Sequence, residues 1–567
     1  MTKIKTVEVT IALCLWSALA AGQGLDPSAI LKPLANDWPT YSGDYSGKRY
    51  SKLTQINQSN VKNLTLAWAA RLTFGAGATG GGRGGFGGFG GFGGPPVIIG
   101  GEGPGDVGTG GFGGGSSIRA SILKVDGILY LSAPDNAWAV DARDGRVLWH
   151  YFWKTKGGTH IGNRGLGMWK NWLYMETPDD YLICLDARTG KEKWHVEIAD
   201  FNQQYFSTMA PIVVGNHVLV GTGDDLDAPG FLQSFDPETG VVQWKWYAVP
   251  MKEGDPGLDT WASLDAARHG GGHLWVPGVY DPETHLYIAG TGNPTPAYTS
   301  GTRGEGANLF TCAIVAINVD TGKMAWYYQV SPHDTHDWDA SQTPILVDAE
   351  FNGRPRKLVL HASRNGYYFT LDRLTGEHLV TSKYSDTVNW AKGIDKKGAP
   401  VREPEKDFHI GGALVSPNNG GVTNWPPPSF SSDTGLFYVP QSDNYAMYYL
   451  TETDPRGAMG LGGKEEQGVA TIGSYLTATD YKTGKIAWRH RYPGSGGGLN
   501  GILTTAGKLL FSGDSSGNLV AYDPANGKIL WHTRLGQVSN APQTYLLDDH
   551  QYILVAAGDT LYTFTLY

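Results

Sequence analysis

An eleven-residue phrase that recurs along the chain constrains the fold more than any other feature of this sequence. Each copy has Asp or Asn at its third position and Gly at its seventh, and all but one end in Trp. Asp accepts hydrogen bonds from turn N–H groups, Gly supplies a positive φ, and Trp buries a large apolar surface against a neighbour. The phrase therefore predicts a strand, a tight turn and a second strand. The copies occupy residues 139–149, 184–194, 234–244, 316–326, 370–380, 478–488 and 521–531.

Units of roughly 40–50 residues that contain two or more strands are typical of propeller blades. The composition agrees, because 80 Gly, 19 Trp and only 17% charged residues favour short strands and tight turns over helical domains. Residues 60–68 (NVKNLTLAW) supply a further Trp, and such an N-terminal strand would close the ring by completing the last blade. The sequence therefore predicts an all-β fold, an eight-bladed β-propeller with tryptophan-docking repeats, over residues 36–567.

Residues 1–22 have the features of a cleavable secretory signal peptide. Lys3 and Lys5 precede an apolar core that ends in the small residues ALAAG at 18–22. The alternative is a membrane anchor that stays attached, although the apolar stretch is shorter than the roughly 20 residues that a spanning helix needs. We expect an exported protein with no stable membrane anchor.

The segment 75–115 is more than half glycine and repeats Phe-Gly-Gly. It has too few apolar side chains to bury, so we predict a flexible surface insertion within the propeller. A contact role for Phe86, Phe89 and Phe92 is the alternative interpretation.

Charge and cysteine content exclude two classes of function. A net charge of -9 leaves no excess of Lys and Arg to neutralise phosphates, so no nucleic acid is expected as a partner. The motif C-x-x-C-H does not occur, which excludes covalent c-type haem, and electrons would have to leave through another group. Cys184 and Cys312 remain after signal removal, and the sequence leaves open whether they form a disulfide.

Several longer motifs carry a resemblance. Residues 38–51 read WPTYSGDYSGKRYS, 290–294 read GTGNP, 332–339 read PHDTHDWD and 364–366 read RNG. Together with the repeated phrases, and in this order, they resemble the pyrroloquinoline quinone (PQQ) dependent alcohol and methanol dehydrogenases over nearly the whole chain from residue 38. The resemblance implies a periplasmic eight-bladed propeller that binds PQQ and a metal ion and oxidises a small alcohol to an aldehyde or ketone.

Two aspartates in the PHDTHDWD motif match positions of chemical importance in that family. Asp337 lies where the family has the base that takes the hydroxyl proton as hydride leaves carbon. From the residues alone, a turn carboxylate that caps backbone N–H groups is the alternative. Asp339 matches a second carboxylate of the lanthanide-dependent enzymes, since a trivalent ion calls for more negative oxygen ligands than Ca²⁺. A calcium enzyme, with Asp339 bonded only to nearby backbone, is the alternative.

Two further metal ligands are implied by the resemblance. Asn293 in GTGNP would offer its amide oxygen, unless it simply forms an Asn-Pro turn. The glutamate ligand of the family falls in residues 221–227 (GTGDDLD), where this chain has aspartates and is one residue shorter. Asp225 is the preferred ligand and Asp224 the alternative.

The resemblance also assigns residues to the quinone. Trp275 would stack on one ring face, although a role in blade packing is the alternative. Arg364 would lie beside the quinone oxygens and stabilise the charge that develops on reduction. The remaining three residues match positions that contact the cofactor carboxylates or another polar edge of the cofactor: Arg164, Thr208 and Asn389.

Three departures from the family pattern concern the cofactor. Gly158 and Thr159 stand where many members have adjacent cysteines bridged over PQQ, so that face would be open or covered by another residue such as His160. Arg119 replaces a glutamate near the cofactor, and Leu499 replaces a tryptophan. These changes bear on affinity and substrate more than on the class of reaction.

The sequence thus supports a quinoprotein alcohol dehydrogenase with PQQ and one lanthanide(III) ion, or alternatively Ca²⁺. A soluble c-type cytochrome is the expected electron acceptor, and a homodimer is compatible with the sequence. A noncatalytic propeller that binds other proteins, and a related quinoprotein sugar dehydrogenase, are the alternative functions.

Overall fold

The repeated phrases fold into the predicted hairpins. The computed structural model describes residues 24–74, 117–156, 162–223, 225–451, 464–494 and 500–567, and in each phrase two antiparallel strands flank the turn. The Asp at the third position caps the turn, as where Asp186 Oδ1 accepts the N–H groups of Arg188 and Thr189 at 2.9 and 3.0 Å. The predicted signal peptide (1–22) and the whole of the Gly-rich insertion (75–115) lie outside the described residues.

The first half of the described chain contains twenty-two strands. They are β1 (Tyr50–Ser51), β2 (Thr65–Arg71), β3 (Leu123–Val125), β4 (Ile128–Ala133), β5 (Asn136–Asp141), β6 (Val147–Phe152), β7 (Gly167–Trp169), β8 (Trp172–Glu176), β9 (Tyr181–Asp186), β10 (Glu192–Glu197), β11 (Ile212–Val214), β12 (His217–Val220), β13 (Phe231–Phe235), β14 (Val242–Tyr247), β15 (Val279–Asp281), β16 (Leu286–Gly290), β17 (Ala313–Asn318), β18 (Lys323–Gln329), β19 (Ile345–Phe351), β20 (Arg354–Ala362), β21 (Tyr367–Asp372) and β22 (His378–Lys383).

The second half adds strands of more varied length. They are β23 (Ala391–Ile394), β24 (Pro400–Arg402), β25 (Ala413–Val415), β26 (Ser429–Ser431), β27 (Leu436–Leu450), β28 (Lys464–Asp480), β29 (Ile486–Arg491), β30 (Ile502–Thr505), β31 (Leu509–Gly513), β32 (Asn518–Tyr522), β33 (Ile529–Arg534), β34 (Gln543–Leu547), β35 (His550–Ala557) and β36 (Thr560–Thr565). The α-helix α1 (Leu264–Arg268) and short 3-10 turns at Pro27–Ala29, Val61–Asn63, Phe201–Gln203, Leu258–Thr260 and Pro404–Lys406 complete the described elements.

Consecutive strands form four-stranded antiparallel sheets. Five such groups are β3–β6, β7–β10, β11–β14, β15–β18 and β19–β22. The order β25-β27-β28-β29 continues the series with β26 added on β27, and β30-β31-β32-β33 carries β1 on its edge. A small two-stranded sheet, β23-β24, lies in the connection that precedes β25.

The ring is closed by a strand from the beginning of the described chain. In the sheet β2-β36-β35-β34, β2 pairs with β36 in antiparallel register, with Thr65 opposite Thr565. The predicted N-terminal strand that carries Trp68 therefore completes the last sheet, so that β36 is paired on both sides, with β35 and β2, and β2 is the outer strand.

Tryptophan docking joins neighbouring sheets. Trp149 donates its indole N–H to the carbonyl of Ala187 at 2.9 Å. Gly190, at φ +69°, lies against the same indole, where a Cβ atom would come within 2.6 Å of the ring. The equivalent indole-to-carbonyl bonds join Trp68 to Ala142, Trp194 to Glu238, Trp244 to Val319, Trp326 to Arg373 and Trp488 to Pro524.

One open point of the sequence, the pairing of the two cysteines, is answered by the fold. Cys184 lies in β9 and Cys312 immediately before β17, and no disulfide joins these two buried residues. Within the ranges that the structure describes, no helix has both the length and the apolar character to span a bilayer.

Candidate active site

The predicted site residues lie on connections rather than on strands. In an antiparallel four-stranded sheet, the connection between the second and third strands leaves at the same end as the connection to the next sheet. Asp225, Asn293 and Arg364 lie on connections of the first kind, after β12, β16 and β20. The remaining predicted residues lie between sheets: Arg164, Thr208, Trp275, Asp337, Asp339 and Asn389. One end of the sheets therefore carries all of them.

Asp337 sits in a turn that Asp334 holds together. The Asp334 Oδ2 atom accepts N–H groups from His336, Asp337 and Trp338 at 3.2, 2.8 and 3.1 Å. Burial raises the pKa of Asp334 to about 6. The role of turn carboxylate, which the sequence offered as an alternative for Asp337, thus belongs to Asp334, and Asp337 projects into the site at φ +65°.

Arg303 fixes the same turn from the outside. Its buried guanidinium donates to the Asp334 carbonyl at 2.7 Å and to Asn308 Oδ1 at 2.5 Å. Because Arg303 and Asn308 belong to the long connection that starts at Asn293, this cation ties the Asn293 and Asp337 connections together.

Arg364 pairs with both aspartates of the motif. Its Nη1 donates to Asp339 Oδ2 at 2.5 Å and its Nη2 lies 3.4 Å from Asp337 Oδ2. The Arg364 side chain is 7% exposed, and those of Asp337 and Asp339 are 10% and 1% exposed. In such a setting a charge-assisted pair is held in one geometry, so the cation and both carboxylates are preorganised.

Asp339 accepts three hydrogen bonds from other residues of this cluster. Its Oδ1 accepts the backbone N–H of Asn293 at 2.8 Å, and its Oδ2 accepts the indole N–H of Trp275 at 3.0 Å in addition to the Arg364 bond. One carboxylate thereby orients Trp275, Asn293 and Arg364, which are the predicted stacking residue, a predicted metal ligand and the predicted cation. Sequence reasoning proposed Asp339 as a metal ligand and did not anticipate the bond to Trp275.

Asn293 offers an oxygen of the kind that a hard cation needs. It is fully buried, and its Oδ1 has no hydrogen-bond partner among the described residues, while its Nδ2 donates to the Pro294 carbonyl at 3.2 Å. A buried amide oxygen without a partner is costly unless a ligand satisfies it. The donor set of Asn293, Asp337 and Asp339 therefore suits a hard metal ion with oxygen ligands.

The carboxylates of the site do not surround a single point. Within the described ranges, no three or more His, Cys, Asp or Glu side chains are grouped as a metal cluster. Asp225 is half-buried at φ +64°. Burial chiefly, and then the charges of Asp337 and Asp225, raise the pKa of the Tyr298 hydroxyl, so both carboxylates approach this residue. Asp224, the alternative ligand, is outside the described residues.

Tyr298 is a site residue that sequence reasoning missed. Its buried hydroxyl donates to Asp337 Oδ2 at 3.3 Å, and its ring lies 5.1 Å from that of Phe408. It follows Asn293 by five residues on the same connection, so its position next to a predicted ligand was the available signal. Burial holds the pKa of Tyr298 well above its ordinary value, so the hydroxyl keeps its proton and remains a donor.

The predicted residues for the cofactor carboxylates come together around Arg164. The Thr208 carbonyl accepts the Arg164 backbone N–H at 3.1 Å and its Nη1 at 3.2 Å, and Thr208 Oγ1 donates to the Trp275 carbonyl at 3.4 Å. The guanidinium carbon lies 4.4 Å from the Trp275 ring centre. It also lies 5.1 Å from the ring of Trp425, a residue that the sequence analysis did not single out.

Asn389 bonds to the segment that contains β25. Its Oδ1 accepts the N–H of Ser416 at 2.8 Å, and its Nδ2 donates to the Leu414 carbonyl at 3.2 Å. The side chain therefore fastens the 414–416 segment to the chain before β23. The positions at which the sequence departs from the family, Gly158, Thr159 and Leu499, and the substitute His160, lie outside the described residues, whereas Arg119 is half-buried just before β3.

The arrangement combines three chemical functions at one end of the sheets. Asp337 is a buried carboxylate, Arg364 is a buried cation beside it, and Asn293 presents an unsatisfied oxygen. About these groups, Trp275 and Arg164 offer an aromatic face and a guanidinium. Such a site can take a proton, stabilise a nearby negative charge and hold a planar anionic ligand.

Comparison with known proteins agrees with this geometry. Residues 38–387 match the family model "Glucose/ethanol/alcohol dehydrogenase, beta-propeller domain", and residues 473–566 match a model described as outer membrane protein assembly factor BamB. The quinohemoprotein alcohol dehydrogenase of Comamonas testosteroni is 33% identical over 95% of this chain and 75% of its own length. The quinoprotein alcohol dehydrogenase PedH of Pseudomonas putida is 31% identical over 90% of this chain and 84% of its own.

Solved structures give the same result. A crystal structure of the Comamonas testosteroni quinohemoprotein alcohol dehydrogenase superimposes with a TM-score of 0.81 over 96% of this chain and 83% of its own, at 31% identity. A europium-containing methanol dehydrogenase superimposes with a TM-score of 0.80 over 95% of this chain and 99% of its own, at 28% identity. With its β-propeller sheets and a buried Asp-Arg cluster at one end of them, this chain belongs to the family of PQQ-dependent alcohol dehydrogenases.

Proposed function

We propose that this protein is a periplasmic eight-bladed quinoprotein that oxidises a small alcohol by hydride transfer to PQQ, with one bound lanthanide(III) ion. Electrons would pass to a soluble c-type cytochrome. The observation that carries the proposal is the buried cluster in which Arg364 contacts both Asp337 and Asp339, next to the unsatisfied amide oxygen of Asn293.

The residues of the chain divide the chemistry among them. When bound, PQQ supplies the hydride acceptor. Asp337 takes the proton of the alcohol hydroxyl at a carboxylate oxygen, with Arg364 and the Tyr298 hydroxyl holding its Oδ2 atom in place. Burial of these groups excludes water, which strengthens the interaction of Arg364 with negative charge that develops during the reaction.

Cofactor binding falls to the other half of the site. Trp275, fixed through its indole N–H by Asp339, offers its face to a planar ring system. Arg164 is held by Thr208 and meets carboxylates through its N–H edge. Asn389, whose side chain also holds the 414–416 segment, would add a further polar contact to the cofactor.

The choice between a lanthanide ion and Ca²⁺ depends on Asp339. Asn293, Asp337 and Asp339 would hold the ion, with Asp225 completing the set. A fully buried second carboxylate favours a trivalent ion, because the added negative charge is costly without it. The europium-containing structural relative supports the same choice. Against it stand the three hydrogen bonds that Asp339 already accepts, which would suit a purely structural carboxylate in a calcium enzyme.

Reconstitution tests the proposal. The purified protein without cofactor is given PQQ with LaCl₃ or with CaCl₂, and dye-linked oxidation of ethanol and of a sugar is measured in the wild type, Asp339→Ala and Asp339→Asn. We expect activity with alcohol and lanthanum that both substitutions reduce by about 10²-fold or more, the size found for removal of one preorganised charge-stabilising group.

Other results would redirect the proposal in specific ways. Activity with calcium that survives Asp339→Asn would assign Asp339 a structural role. Faster turnover of the sugar than of ethanol would favour the sugar dehydrogenase alternative. A wild type that binds no PQQ with either ion would leave only the noncatalytic propeller.

A further inference from the structure

A single buried histidine bonds to both sides of the connection that carries Asp225. This connection runs from β12 to β13, and all of it except residue 224 is described. His273, in the segment between α1 and β15, is fully buried. Its Nδ1 lies 2.7 Å from Thr222 Oγ1, and its Nε2 lies 3.1 Å from the Ala228 carbonyl oxygen. The imidazole therefore spans the connection from three residues before Asp225 to three residues after it.

The two partners select one form of the His273 ring. A carbonyl oxygen can only accept a hydrogen bond, so Nε2 carries the proton and donates to Ala228, and Nδ1 accepts the Thr222 hydroxyl. Only the neutral imidazole makes both bonds. Burial lowers the pKa of His273 to about 4, which keeps the ring in this form near neutral pH. Because both ring nitrogens are bonded, the ring fixes the separation of Thr222 and Ala228.

Two glycines let the His273 backbone lie directly against the same connection. A Cβ atom at Gly221 would overlap the Leu274 carbonyl oxygen, and one at Gly230 would overlap the His273 backbone nitrogen. No larger residue fits at either position without displacement. The segment that contains His273 thus holds this connection at its first and its last residue.

The same segment also reaches the connection that carries Asn293. The His273 carbonyl accepts the Gly292 N–H at 2.8 Å, and the Gly272 N–H donates to the Asn293 carbonyl at 2.9 Å. His273 therefore lies where the connections of two predicted metal ligands, Asn293 and Asp225, meet. A change at this point would alter the distance between the two ligands.

We propose that His273 is a positioning residue for the metal ion and acts through Asp225. The inference rests on the proposed binding of a hard trivalent cation. The short side chain of an aspartate reaches an ion only if its backbone is held close. Asp225 has φ +64°, a conformation that is uncommon for residues other than glycine and persists where surrounding bonds hold it. The two bonds of His273 close the connection around Asp225, so that its carboxylate meets the ion without rearrangement.

Ion binding tests this role without recourse to activity. TbCl₃ is added to the protein in the presence and in the absence of PQQ, and the dissociation constant is obtained by equilibrium dialysis. The number of water molecules on the ion is obtained from terbium luminescence lifetimes in H₂O and D₂O. The variants are His273→Leu, His273→Gln and His273→Asn, each also combined with Asp225→Ala.

His217→Leu is the matched control. This imidazole is also buried and also bonds to a hydroxyl, with its Nδ1 3.0 Å from Ser234 Oγ. It is the first residue of β12, whereas the connection that carries Asp225 follows the last one. The control therefore removes a comparable side chain from the same sheet at the end away from the site.

We expect His273→Leu to bind Tb³⁺ about 10–100-fold more weakly, the usual loss when a group that orients a metal ligand is removed. About one more water should be bound to the ion in place of the Asp225 carboxylate. His273→Gln keeps a donor near the Nε2 position and His273→Asn an acceptor near the Nδ1 position, so each should lose less affinity. In the Asp225→Ala background His273→Leu should cause no further loss, and His217→Leu should bind as the wild type does.

Equal affinity and equal water number in the wild type and His273→Leu would overturn the inference and leave the proposed function intact. So would a loss that is undiminished in the Asp225→Ala background, or an equal loss in His217→Leu, because the effect would then be general. If His273→Leu does not fold, the Gln and Asn variants decide the matter by the same criteria. A wild type that binds no Tb³⁺, with or without PQQ, would overturn the metal site of the proposed function, and with it this inference.

Discussion

The repeated hairpins and the site connections both need residues with positive φ, and they fill these positions differently. In the seven phrases the residue is always glycine, with φ between +66° and +79°. In the site connections glycine also occurs, as at Gly272 and Gly366, but two of the positions hold the predicted site residues Asp225, at +64°, and Asp337, at +65°. Glycine adopts this conformation at no steric cost, whereas other residues are uncommon there.

This contrast separates the requirements of stability from those of function. Each hairpin has a glycine, which adopts a positive φ without strain and, having no side chain, leaves room in most of the hairpins for a docked indole such as that of Trp149. The connections that carry Asp225 and Asp337 keep a carboxylate where glycine would be less strained, and at Asp337 the three hydrogen bonds that Asp334 accepts hold the turn in place. Substitutions in the site connections should therefore lower activity more than stability, and substitutions in the hairpins should lower stability more than activity.

The largest effect on activity is expected for Asp337→Asn. The amide keeps the shape of the side chain but cannot take the hydroxyl proton, so kcat should fall by about 10²–10⁴-fold. Steady-state rates with saturating PQQ and metal ion, together with the melting temperature, provide the measurement. Asp236→Asn, at the third position of a phrase, is the control and should retain its activity. Retention of more than about a tenth of kcat would contradict the role of Asp337 as base.

The largest effect on stability is expected for Trp149→Ala. Loss of the docked indole and of its bond to the Ala187 carbonyl should lower the free energy of unfolding by about 2–4 kcal/mol. Urea denaturation measures the change, and Trp149→Phe, which keeps an aromatic ring, should lose less. The activity of folded Trp149→Ala should be that of the wild type. A specific loss of PQQ binding would show that the docked tryptophan also affects the candidate active site.

A smaller difference in stability is expected between two glycine variants, and it separates the effect of a steric clash from that of backbone conformation. Gly190→Ala places a Cβ against Trp149 at φ +69°, whereas Gly215→Ala adds a Cβ at φ +58° with no atom within 4 Å. We expect a loss of about 2–4 kcal/mol for Gly190→Ala and about 1 kcal/mol for Gly215→Ala. Equal losses would mean that the conformation of the glycine, and not docking, dominates the hairpins.

The smallest effect concerns pH and Asp135, in the turn between β4 and β5. Both carboxyl oxygens are buried without a hydrogen-bond partner in the part of the chain that is described, and burial, with the nearby Asp179, raises the pKa to about 8. Between the ordinary value and about 8, the folded protein holds a proton that the unfolded chain has released, so stability falls as pH rises.

Asp135→Asn should remove this dependence. Its melting temperature should exceed that of the wild type by about 1–3 °C at pH 8.5, and the difference should shrink towards pH 4.5. Asp126→Asn, in the turn between β3 and β4, serves as an exposed control. A difference between Asp135→Asn and the wild type that does not vary with pH would show that the carboxyl is not titrating in this range.

The fold was predictable because its determinants are local and repeated. Each phrase contains its own turn, cap and docking residue, so the roles of Trp149 and Gly190 can be recognised within eleven residues. Val380 stands where the other phrases have Trp, yet the hairpin forms in the same way, since Asp372 and Gly376 are retained.

The site was predictable only in part, because its contacts join distant segments. The motif residues Asp337, Asp339 and Arg364 could be recognised by resemblance, and in the structure Arg364 lies within hydrogen-bond distance of both carboxylates. The bond from Trp275 to Asp339 spans 64 residues and follows no local spacing. Trp425 lies 261 positions after Arg164, so only the packed structure reveals their contact.

The closure of the ring by β2 and β36 has a consequence for how the protein reaches its native state. The hydrogen bond from Thr65 to Thr565 joins residues 500 positions apart. Bringing such remote segments together carries a high loop-closure entropy and makes contact order large, which slows folding. The last sheet therefore forms only after residues 560–565 have been synthesised, so a nascent chain stays open along this seam. The proposed periplasmic location would fit this order of events, because export requires a chain that has not yet folded.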